Sequence, residues 1–166
     1  ARAISEADGI PMYDTFTGFK YIAEKIAEQE QLNHTCIFSF EESIGYLIGD
    51  HCRDKDAITA SMLFAEMGAY YLDKDMSLFE AVDELYERYG HYVDETINIV
   101  LPGLDGKAKM ESIMKDLRGG DMSKLFEGPA KLVKVTDFLD GTSMEIDTGN
   151  TYPAELSGSN VLGFHL

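Results

Sequence analysis

The most constraining stretch of this sequence is residues 38–49, where two carboxylates and a hydroxyl stand between two short apolar runs. The acidic pair is Glu41 and Glu42, Ser43 follows at once, and Lys55 comes twelve residues later, before a long apolar segment. A polar turn at the carboxyl end of a strand is where an α/β sheet presents ligand-binding groups. A polyhydroxylated ligand with a charged end needs acceptors for its hydroxyls and a cation for its charge. This segment contains both.

The charge balance argues against two classes of partner. Acidic residues outnumber basic ones by 30 to 14, giving a formal net charge of −16. Nucleic-acid binding relies on basic surface that displaces counterions from phosphates, so we expect no nucleic-acid partner. An anionic membrane surface is disfavoured for the same reason. No apolar run reaches the roughly 18 residues that a membrane-spanning helix needs, so we expect no membrane segment.

The cysteines and histidines predict neither a disulfide scaffold nor a metal centre in this chain. Cys36 and Cys52 are too few for a disulfide framework, and no Cys-x-x-Cys motif exists, which favours a reducing, cytoplasmic setting. The four histidines lack ligand spacing. We therefore expect that no residue of this chain is a metal ligand.

Alternating strand and helix patterns in the first part predict an α/β fold with a mixed, largely parallel sheet and crossover helices. Short strands are expected at residues 10–13 and 35–40, the second one apolar enough to be buried on both faces. A helix with Thr17 as its N-cap is expected between them. The nearly uniformly apolar segment 56–72 predicts a largely buried helix. A capping box, Ser77 to Glu80, predicts the start of another helix, which Gly90 ends.

The character of the sequence changes after Gly90, and Pro102-Gly103 marks the predicted boundary. Residues 106–117 have the pattern of an amphipathic helix, and residues 131–138 and 160–166 read as strands. We therefore divide the chain into residues 1–103 and a partial, smaller α+β domain at 104–166. Because the sequence starts inside a helix pattern and stops on an apolar strand pattern, we expect a piece of a longer protein.

Three segments in register resemble the α-D-phosphohexomutase family, and most closely its bacterial phosphoglucomutases. These segments are residues 15–22, 38–47 and 53–57. Residues 153–166 also resemble the segment before the last phosphate-binding loop of that family. The resemblance implies that residues 1–103 are most of the third, sugar-recognition domain and residues 104–166 the beginning of the fourth, phosphate-binding domain. Family loops often have Gly where this chain has Phe40, which we interpret as a mark of a subgroup.

The resemblance implies an isomerase that moves a phosphoryl group between the 1- and 6-positions of a hexose through a bisphosphate intermediate. Its substrates would be glucose 1-phosphate and glucose 6-phosphate, and its cofactor Mg²⁺, held by residues outside this chain. Neither a phosphoserine motif, a metal loop of Asp-Gly-Asp type nor an Arg-Pro-Ser-Gly-Thr loop occurs in the sequence. We therefore expect the isolated chain to be inactive. We also expect it to self-associate through an apolar sheet edge or helix face that loss of the first strand-helix unit of the third domain would expose.

Carried over position by position, the resemblance makes Glu41 and Ser43 sugar contacts, and Thr17 with Gly18 a turn that contacts the sugar partly through backbone. Lys55 matches a catalytic lysine near the reacting oxygens. The alternatives are an ion pair between Lys55 and a neighbouring acid, and a role for Thr17 as N-cap alone. Glu42 is expected to pair with a cation rather than with sugar.

Several alternatives remain for the function as a whole. Within the enzyme class they are a phosphomannomutase and a phosphopentomutase. Outside it they are a free-standing carbohydrate-binding module and a non-catalytic scaffold.

Overall fold

In the computed structural model, which describes residues 1–120 and 129–166, the chain divides into two compact units, Ala1–Asp94 and Glu95–Leu166. The first unit contains α1 (Arg2–Ala7), α2 (Phe19–Gln31), β1 (Phe38–Glu41), β2 (Gly45–Ile48), α3 (Ala57–Leu72) and α4 (Leu78–Tyr89). The second contains α5 (Gly103–Gly119), β3 (Lys134–Asp137), β4 (Thr142–Glu145), β5 (Thr151–Pro153) and β6 (Leu162–His165). The predicted assignment of residues 1–103 and 104–166 to two domains stays a prediction.

Strands β1 and β2 form an antiparallel hairpin in which Glu41 pairs with Gly45 and Ser39 with Leu47. Three residues join the strands, and so short a connection allows only antiparallel pairing, because a parallel pair needs a long crossover. The α/β class predicted from the sequence is confirmed. The expectation of a largely parallel sheet is not met within the described residues, where every strand pairs antiparallel.

The core of the first unit lies between α2 and the hairpin. Leu47 is fully buried against three apolar residues of α2 that recur on one helix face, namely Phe19, Ile22 and Ile26. Spacings of three and four residues bring these side chains together, as the sequence pattern predicts. Cys36 and Cys52 pack on the edge of this cluster as free thiols.

Two strand predictions in the first unit need correction. Residues 10–13 form no strand, and their backbone has no ladder partner among the described residues. The predicted strand at 35–40 is displaced to Phe38–Glu41 and is not buried on both faces, since exposed and half-buried residues alternate along it. An apolar run alone does not distinguish a central strand from a hairpin strand with an exposed aromatic face.

Helix α3 has its predicted span but not its predicted burial. Asp56 caps its N-terminus by accepting hydrogen bonds from the amides of Ile58 and Thr59. No residue of α3 is buried, and Phe64 is 61% exposed. The prediction of a buried helix is therefore wrong for this structure: the helix is apolar on all sides, but the described residues do not cover it.

Two helix termini follow the sequence closely. The Ser77–Glu80 capping box is present, with both reciprocal hydrogen bonds. Gly90 ends α4 with a φ of 94°, a backbone angle that glycine adopts without a steric cost. Both predictions are confirmed, because such signals depend on a few residues that are neighbours in sequence.

In its described residues, the second unit contains α5 and an antiparallel sheet in the order β5-β4-β3-β6. Strand β3 lies at the centre, where buried Thr136 and Ser143 share a hydrogen bond of 3.0 Å across the ladder. Arg118 of α5 makes a two-pronged ion pair with Asp137 of β3, at 2.7 and 3.1 Å. This architecture matches the α+β unit expected for this part of the chain.

Candidate functional site

Glu41 is the centre of the candidate site because the pleat of β1 directs its side chain toward the core. Ser39, Glu41, Gly45 and Leu47 share one face of the hairpin, while Phe38, Phe40 and Tyr46 stack on the other. The Glu41 side chain is only 9% exposed, and its Oε2 is buried with no hydrogen-bond partner within the described part of the chain. Burying an unpartnered carboxylate oxygen is costly in free energy. A ligand hydroxyl that reached this atom would supply the hydrogen bond that the described chain does not.

Gly45 makes the burial of Glu41 possible. A Cβ on Gly45 would lie 3.0 Å from Cγ and Oε1 of Glu41 and 3.0 Å from Cδ of Lys55. Because glycine has no side chain, the carboxylate and the lysine stem meet in the space above it. The sequence analysis did not single out Gly45. The available signal was a glycine at the start of a strand, directly opposite the first acidic residue.

Lys55 reaches the site through the start of α3. The amide of Asp56 donates a hydrogen bond of 2.8 Å to the carbonyl of Tyr46, which fixes the beginning of α3 beside β2. The Nζ of Lys55 then lies 4.0 Å from Oε1 of Glu41 and 5.4 Å from the ring centre of Phe19. The predicted pair of an acceptor and a cation is therefore brought together in one place.

Lys55 has a second acidic neighbour. Its Nζ lies 3.2 Å from Oδ1 of Asp54, closer than to Glu41, and its amide also donates to that carboxylate. These hydrogen bonds, first from the amide and then from the side chain, lower the pKa of Asp54. The local ion pair considered from the sequence is thus present together with the contact to Glu41. Since the Lys55 side chain is 53% exposed, the ammonium can contact both carboxylates and solvent.

Thr17 does not cap α2. The N-cap is Gly18, with a φ of 122°, and no side chain caps the helix there. The Thr17 hydroxyl instead donates a hydrogen bond of 2.7 Å to Oε1 of Glu42. The expectation that Glu42 pairs with a cation is not met: its identified partner is a hydroxyl, and this hydrogen bond is the main reason that the pKa of Glu42 lies below its ordinary value.

Ser43 lies in the turn of the hairpin, between Glu42 and Ile44, and is exposed. Ile44 has a φ of 64°, a left-handed conformation that is unfavourable for a β-branched residue. The structure therefore gathers Glu41, Lys55, Gly45 and the Thr17–Glu42 pair around the hairpin, with Ser43 at its tip. Glu42 and Gly45 are the residues that sequence reasoning left without a role in the site.

Within residues 1–120 and 129–166, the His, Cys, Asp and Glu side chains form no group of three or more that could hold a metal ion. In the same residues, no helix combines the length and apolarity needed to cross a membrane.

The chain is similar to known proteins along most of its length. A model of the phosphoglucomutase/phosphomannomutase alpha/beta/alpha domain III matches residues 1–89, more than half of the chain. Phosphoglucomutase from Staphylococcus aureus strain N315 is 29% identical over 161 residues, which cover 97% of this chain and 29% of the relative. Phosphoglucomutase from Staphylococcus saprophyticus is 30% identical over 166 residues, 99% of this chain and 30% of the relative.

A third relative has a different name. Glucose 1,6-bisphosphate synthase from Pongo abelii is 30% identical over 143 residues, 84% of this chain and 22% of the relative. No solved structure matches the chain. The chain spans under a third of the length of the bacterial relatives named here. On the domain match and these relatives, the chain belongs to the phosphoglucomutase/phosphomannomutase family.

Proposed function

We propose that this chain is the sugar-binding part of a phosphohexomutase of phosphoglucomutase type. The complete enzyme interconverts hexose 1-phosphate and hexose 6-phosphate through a bisphosphate intermediate, with glucose 1-phosphate and glucose 6-phosphate as substrates. The observation that carries the proposal is the Glu41 carboxylate, whose Oε2 is buried with no partner in the described chain and whose Oε1 lies 4.0 Å from the ammonium of Lys55. The names and family of the relatives support it.

In this proposal, Glu41 accepts hydrogen bonds from two neighbouring sugar hydroxyls. A carboxylate has four acceptor positions, and hydrogen bonds to an ionised group are stronger than those between neutral groups. A mutase holds its substrate in two orientations, so it benefits from contacts to hydroxyls that occupy similar places in both. Ser43 both donates and accepts, which suits a ligand that turns over between the two phosphoryl transfers.

Lys55 is the proposed catalytic cation. Its ammonium lies 4.0 Å from the Glu41 carboxylate and its side chain is half exposed, so a phosphoryl oxygen can approach it. A fixed positive charge at that place stabilises the negative charge of a transferring phosphoryl group. Thr17 and Gly18 complete the proposed contacts through the backbone of their turn, because the Thr17 hydroxyl is engaged by Glu42. Mg²⁺ belongs to the proposal as the cofactor of the complete enzyme, with ligands outside this chain.

The test is kinetic, on the complete protein that contains this chain. Glu41→Gln keeps the shape of the side chain and removes its charge, and Ser43→Ala removes the hydroxyl. Each is expected to lower kcat/KM for glucose 1-phosphate by about 10- to 100-fold, the loss expected for one or two charge-assisted hydrogen bonds. Asp147→Asn, an exposed acid in the second unit, is the control and should leave turnover unchanged. Wild-type kinetics in both site variants would overturn the proposal.

Assays on relatives of the substrate separate the alternatives within the enzyme class. Mannose 1-phosphate and a pentose 1-phosphate as substrates test for a phosphomannomutase and a phosphopentomutase. A carbohydrate-binding module would instead bind glucose or glucose 1-phosphate with this chain alone in calorimetry, and a scaffold would tolerate changes at Glu41 and Lys55.

Self-association through α3 is also part of the proposal, supported by the exposure of its apolar residues. The cytoplasmic location stays a prediction from the cysteine content.

A further inference from the structure

We propose that the hydrogen bond between Thr17 and Glu42 is a positioning latch that holds two substrate-contacting loops at a fixed separation. The first loop is residues 17–18, directly before α2, and the second loop is residues 42–44, the turn of the hairpin. The inference rests on the proposed function, because the task of the latch is to present Gly18 and Ser43 to one ligand. Glu42 then acts as a positioning residue and contacts no substrate.

The latch joins parts of the chain that are far apart in sequence. The Oγ1 of Thr17 and Oε1 of Glu42 lie 2.7 Å apart, although 25 residues separate them in sequence. Both residues are exposed, and an exposed hydrogen bond competes with water, so it adds little to global stability. What it can fix is geometry, namely the distance between the N-terminus of α2 and the turn.

The second loop contains backbone strain that points to the same role. Ile44 is β-branched, 81% exposed and left-handed at a φ of 64°. Neither burial nor side-chain packing explains that conformation, and strained residues persist only where the surroundings determine them. The pairing of Glu41 with Gly45 holds the base of the turn, and the latch holds its first residue. Ser43 lies between these restraints and is thereby positioned.

The first loop is restricted as well. Gly18 has a φ of 122° and a ψ of 126°, a backbone conformation that residues with a Cβ rarely adopt. The two adjacent carboxylates of the motif then have separate tasks. Glu41 points inward with a buried oxygen that has no partner in the described chain, and Glu42 points outward to Thr17. This division explains why the motif carries two acidic residues rather than one.

The experiment is a double-mutant cycle in the complete protein, with glucose 1-phosphate as substrate. Thr17→Val removes the donor at constant shape, Thr17→Ser keeps it, Glu42→Ala removes the acceptor, and Glu42→Gln keeps an acceptor oxygen. Thr15→Val is the matched control, since the Thr15 hydroxyl bonds only to the neighbouring carbonyl of Phe16 among the contacts described.

We expect Thr17→Val and Glu42→Ala each to raise KM by about three- to tenfold, the effect of one hydrogen bond. We expect kcat to stay within about twofold, because the latch acts on substrate binding rather than on the reacting atoms. The double variant should be no worse than either single variant, and Thr17→Ser and Glu42→Gln should behave like wild type. Additive effects, or no effect of Glu42→Ala, would mean that the Thr17 hydroxyl acts on the substrate itself rather than through Glu42, and would overturn the latch.

A second measurement tests the latch separately from the proposed function. If the complete wild-type protein has no mutase turnover, the proposed function fails. The latch is then judged from backbone 15N relaxation of Gly18 and Ser43 in this chain. Thr17→Val should lower the order parameters of both amides toward the flexible range, below about 0.6, relative to Thr15→Val, and Thr17→Ser should not. Equal order parameters in all three variants would overturn the latch.

Discussion

The ammonium of Lys55 lies 4.0 Å from the carboxylate of Glu41, and the two side chains meet in a space that only a glycine at position 45 leaves open. A hairpin register and the start of a helix produce this contact together. Glu41 pairs with Gly45 across the hairpin, and the amide of Asp56 bonds to the carbonyl of Tyr46 on the same strand. The candidate site therefore depends on backbone pairing as much as on its charged groups.

Replacing Glu41 with glutamine is expected to affect stability and function in opposite directions. Its buried, unpartnered Oε2 is unfavourable in the folded chain, so Glu41→Gln should leave the free energy of unfolding unchanged or raise it by up to about 1 kcal/mol. Urea denaturation of this chain measures the change. Glu42→Gln, at an exposed carboxylate, is the control. A large destabilisation by Glu41→Gln would show that the carboxylate serves the fold instead of a ligand.

Gly45→Ala should damage the site without unfolding the chain. The added Cβ would lie 3.0 Å from atoms of Glu41 and Lys55. The side-chain and backbone shifts that relieve such overpacking lower the free energy of unfolding by about 1–3 kcal/mol. We expect lower stability of this chain in thermal denaturation and a loss of turnover in the complete protein. Gly68→Ala is the matched control, because nothing lies within 4 Å of the added methyl in α3. That change should stabilise the helix by about 1 kcal/mol. Equal effects at both glycines would contradict the close approach at Gly45.

The pair of Arg118 and Asp137 should make the second unit sensitive to acid. The guanidinium hydrogen bonds lower the pKa of Asp137, so the folded state binds the proton more weakly than the unfolded chain does. The resulting stabilisation is fully present above the ordinary pKa of an aspartate, about 3.9, and is lost as pH falls through the lowered value. Asp137→Asn should flatten the dependence of unfolding free energy on pH below about pH 5. Asp147→Asn should not, and an unchanged slope in Asp137→Asn would refute the assignment.

Helix α3 should drive self-association of this chain. Its apolar side chains are exposed on several sides, and Glu66 is its only charged residue. Exposed apolar surface of this extent favours association, whereas the net charge of −16 opposes it. We therefore expect a larger sedimentation coefficient at higher protein concentration, and a further increase when salt screens the charge.

Phe64→Glu places a second charge on α3 and should return the chain to a monomer. Phe79→Glu, at an 85% exposed position of α4, is the control and should leave the association intact. A monomer at all concentrations of the wild-type chain would contradict the prediction, and loss of association in the Phe79→Glu variant would locate the interface elsewhere.

Signals within a few residues of each other were predicted well from the sequence. The capping box at Ser77, the end of α4 at Gly90 and the apolar face of α2 all formed as expected. Signals that depend on distant partners were not. The apolar runs at 35–40 and 56–72 were expected to be buried, yet burial depends on which other elements cover them.

The same contrast applies to the candidate site. Family resemblance and residue chemistry singled out Glu41, Ser43 and Lys55, because carboxylate, hydroxyl and ammonium groups are the ones that such a ligand requires. The pairing of Thr17 with Glu42 and the role of Gly45 were not foreseen. Each involves contacts between positions whose proximity is set by the hairpin and by α2, and no local pattern in the sequence encodes that distance.

The sequence by itself determined which functional groups are available, where helices begin and end, and to which family the chain is similar. Only the tertiary structure decided which carboxylate of the acidic pair is buried and which is held by Thr17. The physical reason is that Glu41 ends β1, where the two-residue period of a strand puts it on the face of Ser39, whereas Glu42 already belongs to the turn. Which face becomes the core depends on the elements that pack against it.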